Sequence, residues 1–341
     1  MRTIEWRDGV VVTLDQTRLP LKEAYLKLRT ESDVAKAIKD MRIRGAPLIG
    51  AAAAFGLALT AYHSESPTRG ELMRELEASA ALIRSSRPTA VNLSWAIERV
   101  MNRARASQGS AKETSIAVIE EASRIADEDV EANRAIGQHG KSLIQDGDTV
   151  LTHCNAGALA TVDYGTALGI VRASVEEGKN VRVMATETRP YLQGSRLTAY
   201  ELARDNIPVT LIVDGAVGYM MWKGLVNKVV VGADRIVRDA VINKVGTHTI
   251  AVLAKEYRVP FYVAAPTSTF DVERASSQVT LEERNGKEIT HFMNIRVAPE
   301  NVAVINPAFD ITPLDLVTAI VTEKGVLRPP YEKAFKILSY V

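Results

Sequence analysis

Cysteine is almost missing from these 341 residues: Cys154 is the single one. An internal disulfide framework is thereby excluded. Charge of one sign is missing too, because 42 Lys and Arg nearly balance 41 Asp and Glu. No broad basic face is available to recruit nucleic acid or an anionic membrane. The opening Met1-Arg2-Thr3-Ile4-Glu5-Trp6 lacks the apolar core of a signal peptide, which makes a cytoplasmic location the expectation. The longest apolar stretch, Ala46 to Tyr62, is rich in Ala and Gly, contains Pro47 and is short for a bilayer span; it reads as a buried helix.

Familiar cofactor signatures are missing as well. A nicotinamide-binding unit needs G-x-G-x-x-G after its first strand, and the corresponding turn here reads Cys154-Asn155-Ala156-Gly157-Ala158-Leu159. Gly140-Lys141-Ser142 resembles the tail of a phosphate-binding loop, but it sits inside a helical pattern, and position 135 is alanine. The five histidines show no metal-ligand spacing. His153 and His248 are read as polar side chains near a crevice, and no metal or cofactor is expected. Asn92-Leu93-Ser94 is a glycosylation sequon without meaning in a cytosolic chain.

What is present divides in two. Residues 1–145 are mainly helical after a small ribbon turning at Asp8-Gly9. Helices are expected from Ser32, as cap, to about Arg44, then from Pro47, and over about 70–85, 90–106 and 112–143. From residue 146 to 341 the pattern alternates strand and helix, the mark of a parallel, Rossmann-like sheet. Strands are expected at about 149–153, 181–186, 209–213, 228–232, 260–264 and 302–305. Helices are expected at about 158–177, 195–205, 216–224 and 247–257, and the charged run Glu282–Lys287 reads as a surface loop or hairpin. The fold class is therefore α/β, a helical amino-terminal part with a β ribbon joined to a Rossmann-like part.

In a doubly wound sheet of order 3-2-1-4-5 the first and fourth strands are neighbours, and ligands bind where their connections diverge. Cys154 follows the first strand and Asp234 the fourth, so a thiol and a carboxyl 80 residues apart are expected to face one crevice. Taken singly, each has a plainer reading: a buried inert thiol and a helix cap or a partner of Arg235. A thiol facing the positive end of the helix expected at 158 would have its pKa lowered. Gln193-Gly194 and Asn243-Lys244 with Gly246-Thr247 are candidate phosphate ligands, because free N–H groups at a helix start and a nearby lysine suit an anion.

Five segments occur in order: Arg42-Ile43-Arg44-Gly45-Ala46-Pro47, Thr152-His153-Cys154-Asn155-Ala156-Gly157, Glu187-Thr188-Arg189-Pro190 with Gln193-Gly194, Gly232-Ala233-Asp234-Arg235, and Asn243-Lys244-Val245-Gly246-Thr247. Through them nearly the whole chain resembles the family of methylthioribose-1-phosphate isomerases and of the regulatory subunits of the guanine-exchange factor for translation initiation. The resemblance implies a homodimer acting on a small phosphorylated sugar, with Cys154 as the thiol and Asp234 as the general acid. It implies substrate contacts from Arg44, Gly45, Ala46, Arg87, Gln193, Asn243 and Lys244. The implied reaction turns an aldose 1-phosphate into a ketose 1-phosphate; a ribose 1,5-bisphosphate isomerase and a non-catalytic regulatory subunit are the competing readings. Two departures from the family pattern, Arg238-Asp239-Ala240 and Asp214-Gly215, fall near the expected crevice. An apolar pocket for the methylthio group would draw on residues such as Trp95, Tyr164, Tyr191 and Met220.

Overall fold

The computed structural model describes residues 1–292 and 294–338. The chain opens with an antiparallel sheet of β1 (Ile4–Arg7), β2 (Val10–Leu14) and β3 (Tyr25–Leu28). Asp8 and Gly9 both have positive φ, 43° and 77°, the turn that matches the twist of a two-residue hairpin. The ribbon is as expected; its third strand is an addition.

Five helices follow: α1 (Glu31–Lys39), α2 (Ala46–His63), α3 (Arg69–Ser86), α4 (Val91–Ala106) and α5 (Ala111–Gly140). Thr30, not Ser32, caps α1, in a capping box with Asp33. The acid three residues on satisfies the cap's own N–H, which Ser32 in the first turn cannot arrange. Ala51 to Ala54 on α2 are buried, letting α4 and α5 pack closely against it. Of the α2 window long and apolar enough to cross a membrane, 72% is buried inside the protein. Helix α5 serves two cores, with Val118 and Ala122 in the helical cluster and Ile136 under the large sheet.

The large sheet contains β4 (Thr149–Thr152), β5 (Arg182–Thr186), β6 (Val209–Ile212), β7 (Lys228–Val231), β10 (Phe261–Ala264), β15 (Ala319–Thr322) and β16 (Gly325–Leu327). Its order is β6-β5-β4-β7-β10-β15-β16, parallel except for the last pair. The first five strands thus take the order 3-2-1-4-5. Val229, Val230 and Val231 are fully buried, as a strand covered on both faces requires. Helices α6 (Ala167–Glu176), α7 (Ala199–Arg204), α8 (Val217–Trp222) and α9 (Thr247–Glu256) are its connections, and α11 (Tyr331–Leu338) places Tyr331 in its core.

Three expectations are corrected. Residues 302–305 form no strand: Val302 and Ile305 are 51% and 80% exposed, and the sixth strand is β15, because apolar residues make a central strand only where both faces are covered. The helix expected from 158 is a single tight turn at Ala158–Ala160, and α6 begins only at Ala167. A second sheet, β11-β8-β9-β14, is inserted after β7, built from β8 (Arg235–Val237), β9 (Ala240–Lys244), β11 (Phe270–Asp271) and β14 (Phe309–Pro313). Asn243 and Lys244 therefore end a buried strand that was not among the expected ones. Between β11 and β14 the chain makes an excursion carrying α10 (Lys287–Thr290) and the ribbon β12 (His291–Phe292) and β13 (Ile295–Arg296).

Candidate active site

Strand β4 ends at Thr152 and neighbouring β7 at Val231, and their continuations part there, one into the turn of Cys154 and the other through Gly232-Ala233-Asp234 into β8. A cavity opens at this point, where ligands of doubly wound sheets bind. Cys154, Asp234, Arg44, Gly45, Ala46, Arg87, Gln193, Asn243 and Lys244 all line it. Six segments separate in sequence converge here, with Arg44 to Ala46 and Arg87 coming from the helical part.

Each cation is held by its neighbours. Arg44 is buried and donates to Asn155 twice, at 2.6 Å to the side-chain oxygen and 2.9 Å to the carbonyl. Asn155 is oriented in turn, its amide nitrogen donating to Glu201 at 2.9 Å. The buried Glu201 also accepts the backbone N–H of Ala158 and Leu159 and pairs with Arg172. Lys244 donates to the carbonyl of Ala308 at 2.6 Å and lies 4.8 Å from the centroid of the Phe309 ring. Asn243 donates to Thr247 at 3.0 Å. The side-chain oxygen of Gln193 is buried without a hydrogen-bond partner, a polar atom available to a ligand hydroxyl.

Backbone geometry brings these groups close. Gly45 has φ +100°, and a Cβ there would stand 2.4 Å from the Cα of Ala160. Glycine is required because the chain starts α2 in a conformation other residues avoid while pressing against the turn after Cys154. Gly194 has no such space either: its Cβ would fall 1.7 Å from the carbonyl oxygen of Thr186.

Burial and the neighbouring cations pull the thiol and the carboxyl in opposite directions. Burial raises the pKa of Asp234, against the opposing pull of Lys244, Arg87 and Arg44, so the carboxyl keeps its proton to higher pH than a solvated aspartate. Burial likewise raises the pKa of Cys154, with Arg44 and Lys244 pulling the other way. The lowered thiol pKa expected from a helix start at 158 is thus corrected: with α6 beginning at Ala167, desolvation outweighs any helix-end field, which fades within a turn. Burial also lowers the pKa of Lys244.

Several side chains that line the site were not among the expected site residues. Arg284 lines the cavity, although its run Glu282–Lys287 reads as solvated surface; Glu282 and Glu288 hold it there at 3.3 and 2.5 Å. Phe309 and Asn155 also line it. His153 lies in the wall, whereas His248 is outside the lining, its N–H bonded to Asp310 at 3.1 Å. Asp239 is at the exposed β8–β9 turn, bonded to Ser276, away from the cavity. Asp214 accepts the N–H groups of Thr188 and Arg189, both at 2.7 Å, and so braces the wall from behind.

A second cavity shares Ala46, Arg87, Asp234 and Phe309 with the first; Ile49, Ala90, Ile242, Val279 and Leu281 give it an apolar wall, and Thr89, Arg235, Thr280 and Glu282 a polar one. Trp95, Tyr164, Tyr191 and Met220 line neither. Tyr164 is buried beneath Arg134, and Tyr191 stacks with Arg196 and Arg284. Among the described residues, no group of three or more His, Cys, Asp or Glu side chains is placed to hold a metal ion.

The sequence profile of the Initiation factor 2 subunit family matches residues 42–329. The chain is 51% identical to the methylthioribose-1-phosphate isomerase of Acetivibrio thermocellus over 98% of this chain and 99% of that one. The crystal structure of 5-methylthioribose 1-phosphate isomerase from Pyrococcus horikoshii superposes with a TM-score of 0.93 at 41% identity, covering 99% of this chain and 96% of that one. A crystal structure from Archaeoglobus fulgidus described as translation initiation factor eIF-2B, subunit delta, superposes with a TM-score of 0.88 at 53% identity, covering 97% of each chain. The chain belongs to the Initiation factor 2 subunit family.

Proposed function

We propose that this family member is an aldose–ketose isomerase that converts 5-methylthioribose 1-phosphate into 5-methylthioribulose 1-phosphate, a step of methionine salvage. The observation that carries this reading is the meeting of a desolvated carboxyl, a thiol and a cluster of cations in one cavity that continues into an annex with an apolar wall. Relatives of similar length bearing the isomerase name support it.

A sugar phosphorylated at carbon 1 cannot open spontaneously to an aldehyde, so ring opening needs an acid at the ring oxygen. Asp234, whose affinity for a proton is raised by burial, supplies that proton as the bond from carbon 1 to the ring oxygen breaks, and takes one back from the carbon 2 hydroxyl as the ketone forms. Cys154 acts beside carbons 1 and 2, between which hydrogen is transferred. Arg44, Arg87, Lys244 and Arg284 surround the phosphate, where guanidinium groups bind oxygens in pairs. Gln193 and Asn243 orient the sugar hydroxyls. The site works without a cofactor.

The annex favours a methylthio group at carbon 5. Ile49, Ala90, Ile242, Val279 and Leu281 give an apolar substituent a place to leave water. A second phosphate there would meet these side chains and the carboxylates of Glu282 and Asp234, with Arg87 and Arg235 as its only cationic contacts among the lining residues, so the preference for methylthio over phosphate rests on the apolar wall. A purely regulatory subunit has no need of a desolvated acid facing a thiol, and this weighs against the initiation-factor reading. The protein works in the cytoplasm as a homodimer; a second copy would cover Val213, Tyr219, Trp222 and Leu225, which are 50–62% exposed around β6 and α8. The deciding experiment compares kcat/KM on methylthioribose 1-phosphate, 5-deoxyribose 1-phosphate and ribose 1,5-bisphosphate. Preference for the first supports the reading, and preference for the bisphosphate overturns the substrate.

A further inference from the structure

Cys154 is held in the left-handed backbone region, with φ +64°, a conformation side chains avoid because Cβ crowds the following carbonyl. Both of its backbone groups are gripped by threonine hydroxyls. Its N–H donates to Oγ1 of Thr188 at 2.9 Å, and its carbonyl accepts from Oγ1 of Thr198 at 2.6 Å. Thr188 is itself left-handed at φ +63°, a strained state for a β-branched residue. Asp214 holds it there through its N–H at 2.7 Å.

The hydrogen-bond directions behind this grip can be assigned. The carbonyl of Val245 can only accept, so Nε2 of His153, 2.8 Å away, carries the ring proton. The neutral ring then offers the lone pair of Nδ1, and Oγ1 of Thr186 donates to it at 2.7 Å. That leaves Oγ1 of Thr186 free to accept from the hydroxyl of Thr188, 3.1 Å away, and the carbonyl of Thr186 stands 3.3 Å from the same hydroxyl. Thr186 thus anchors Thr188 through either oxygen, and a buried chain joins the N–H of Cys154 through Thr188 and Thr186 to His153 and on to Val245. His153, Thr186 and Thr188 are 2%, 0% and 0% exposed.

We propose that Thr188 is the positioning residue for Cys154: its hydroxyl, anchored through Thr186 on the imidazole of His153, holds the thiol-bearing residue in its left-handed conformation and so aims Sγ into the cavity. This rests on the isomerase reading for its kinetic consequence but not for its geometry. Thr188→Val keeps the shape and removes the hydroxyl that accepts the Cys154 N–H, whereas Thr188→Ser keeps the hydroxyl and relieves the β-branched strain.

Two measurements test it, with circular dichroism confirming that the variants fold. In turnover of methylthioribose 1-phosphate, Thr188→Val is expected to lower kcat about tenfold with KM within about twofold, as displacement of a reacting group does, and Thr188→Ser to stay within about twofold of the parent. In alkylation of the single thiol by iodoacetamide at fixed pH, Thr188→Val is expected to react several-fold more slowly and Thr188→Ser at the parent rate. An unchanged or faster alkylation of Thr188→Val overturns the proposal, and so does equal impairment of Thr188→Ser, which would implicate the methyl group instead. If the parent protein itself makes no ketose, the isomerase reading fails, while the alkylation comparison still decides the positioning role.

Discussion

Arg87, at the carboxyl end of α3, donates to the carboxylate of Glu282 at 3.3 Å, and the same carboxylate accepts from Arg284 at 3.3 Å. One acid thus bridges two cavity arginines, one from the helical part and one from the excursion between β11 and β14. Both contacts are long for charge-assisted bonds. Arg87 is therefore poised to exchange Glu282 for a substrate phosphate. Arg87→Ala is expected to raise KM for methylthioribose 1-phosphate by about tenfold to a hundredfold, the loss of one charged hydrogen bond, with a smaller effect on kcat. Steady-state kinetics will show this; an unchanged KM would remove Arg87 from the phosphate site.

Asp234 opposes stability at neutral pH. The unfolded carboxyl loses its proton near 3.8, whereas burial raises the folded value. Between the two, the folded state binds more protons than the unfolded state, so its stability falls as pH rises. Asp234→Asn removes this term. The variant should melt at a higher temperature than the parent at about pH 7.5, and the difference should vanish as pH falls below about 4. A lower melting temperature at neutral pH would mean that the carboxylate is held by the protein instead of being penalised.

The apolar wall of the annex predicts a selective defect. Leu281→Ala removes part of it, and kcat/KM for methylthioribose 1-phosphate should fall about three- to tenfold, from roughly one or two methylene equivalents of lost burial. Turnover of 5-deoxyribose 1-phosphate, with no sulfur group to bury, should change less than about twofold. Equal losses on both substrates would place the methylthio group elsewhere.

The parallel sheet was readable because buried strands are short apolar runs separated by helical periods, and β4, β5, β6, β7 and β10 all have that character. The convergence of Cys154 and Asp234 followed from strand order alone. Arg44 and Arg87 entered only through resemblance, since nothing in the spacing of the helical part says which arginines face the sheet. Residues 302–305 misled because a short apolar run makes a buried strand only where both faces are covered, and that segment is left uncovered. Arg284 was hidden because a run of charges looks the same whether it meets water or a cavity. The second sheet, with strands as short as Phe270–Asp271, is held by long-range pairing that no local pattern announces.

A homodimer would bury the exposed Tyr219 and Trp222. Multi-angle light scattering at micromolar concentration should give twice the mass of the 37.2 kDa chain, and Trp222→Glu should shift the population toward monomer. A monomeric parent protein would leave that apolar face without its proposed partner.

The central claim is that Cys154 and Asp234 carry out the isomerisation together. Purified protein is incubated with methylthioribose 1-phosphate and the ketose is followed by NMR, beside Cys154→Ser and Asp234→Asn. The parent should form 5-methylthioribulose 1-phosphate, and each variant, folded and still binding substrate, should turn over at least about a hundredfold more slowly, as expected when a group acting on protons in the transition state is lost. A parent that forms no ketose, or a variant that keeps near-normal turnover, would contradict the account.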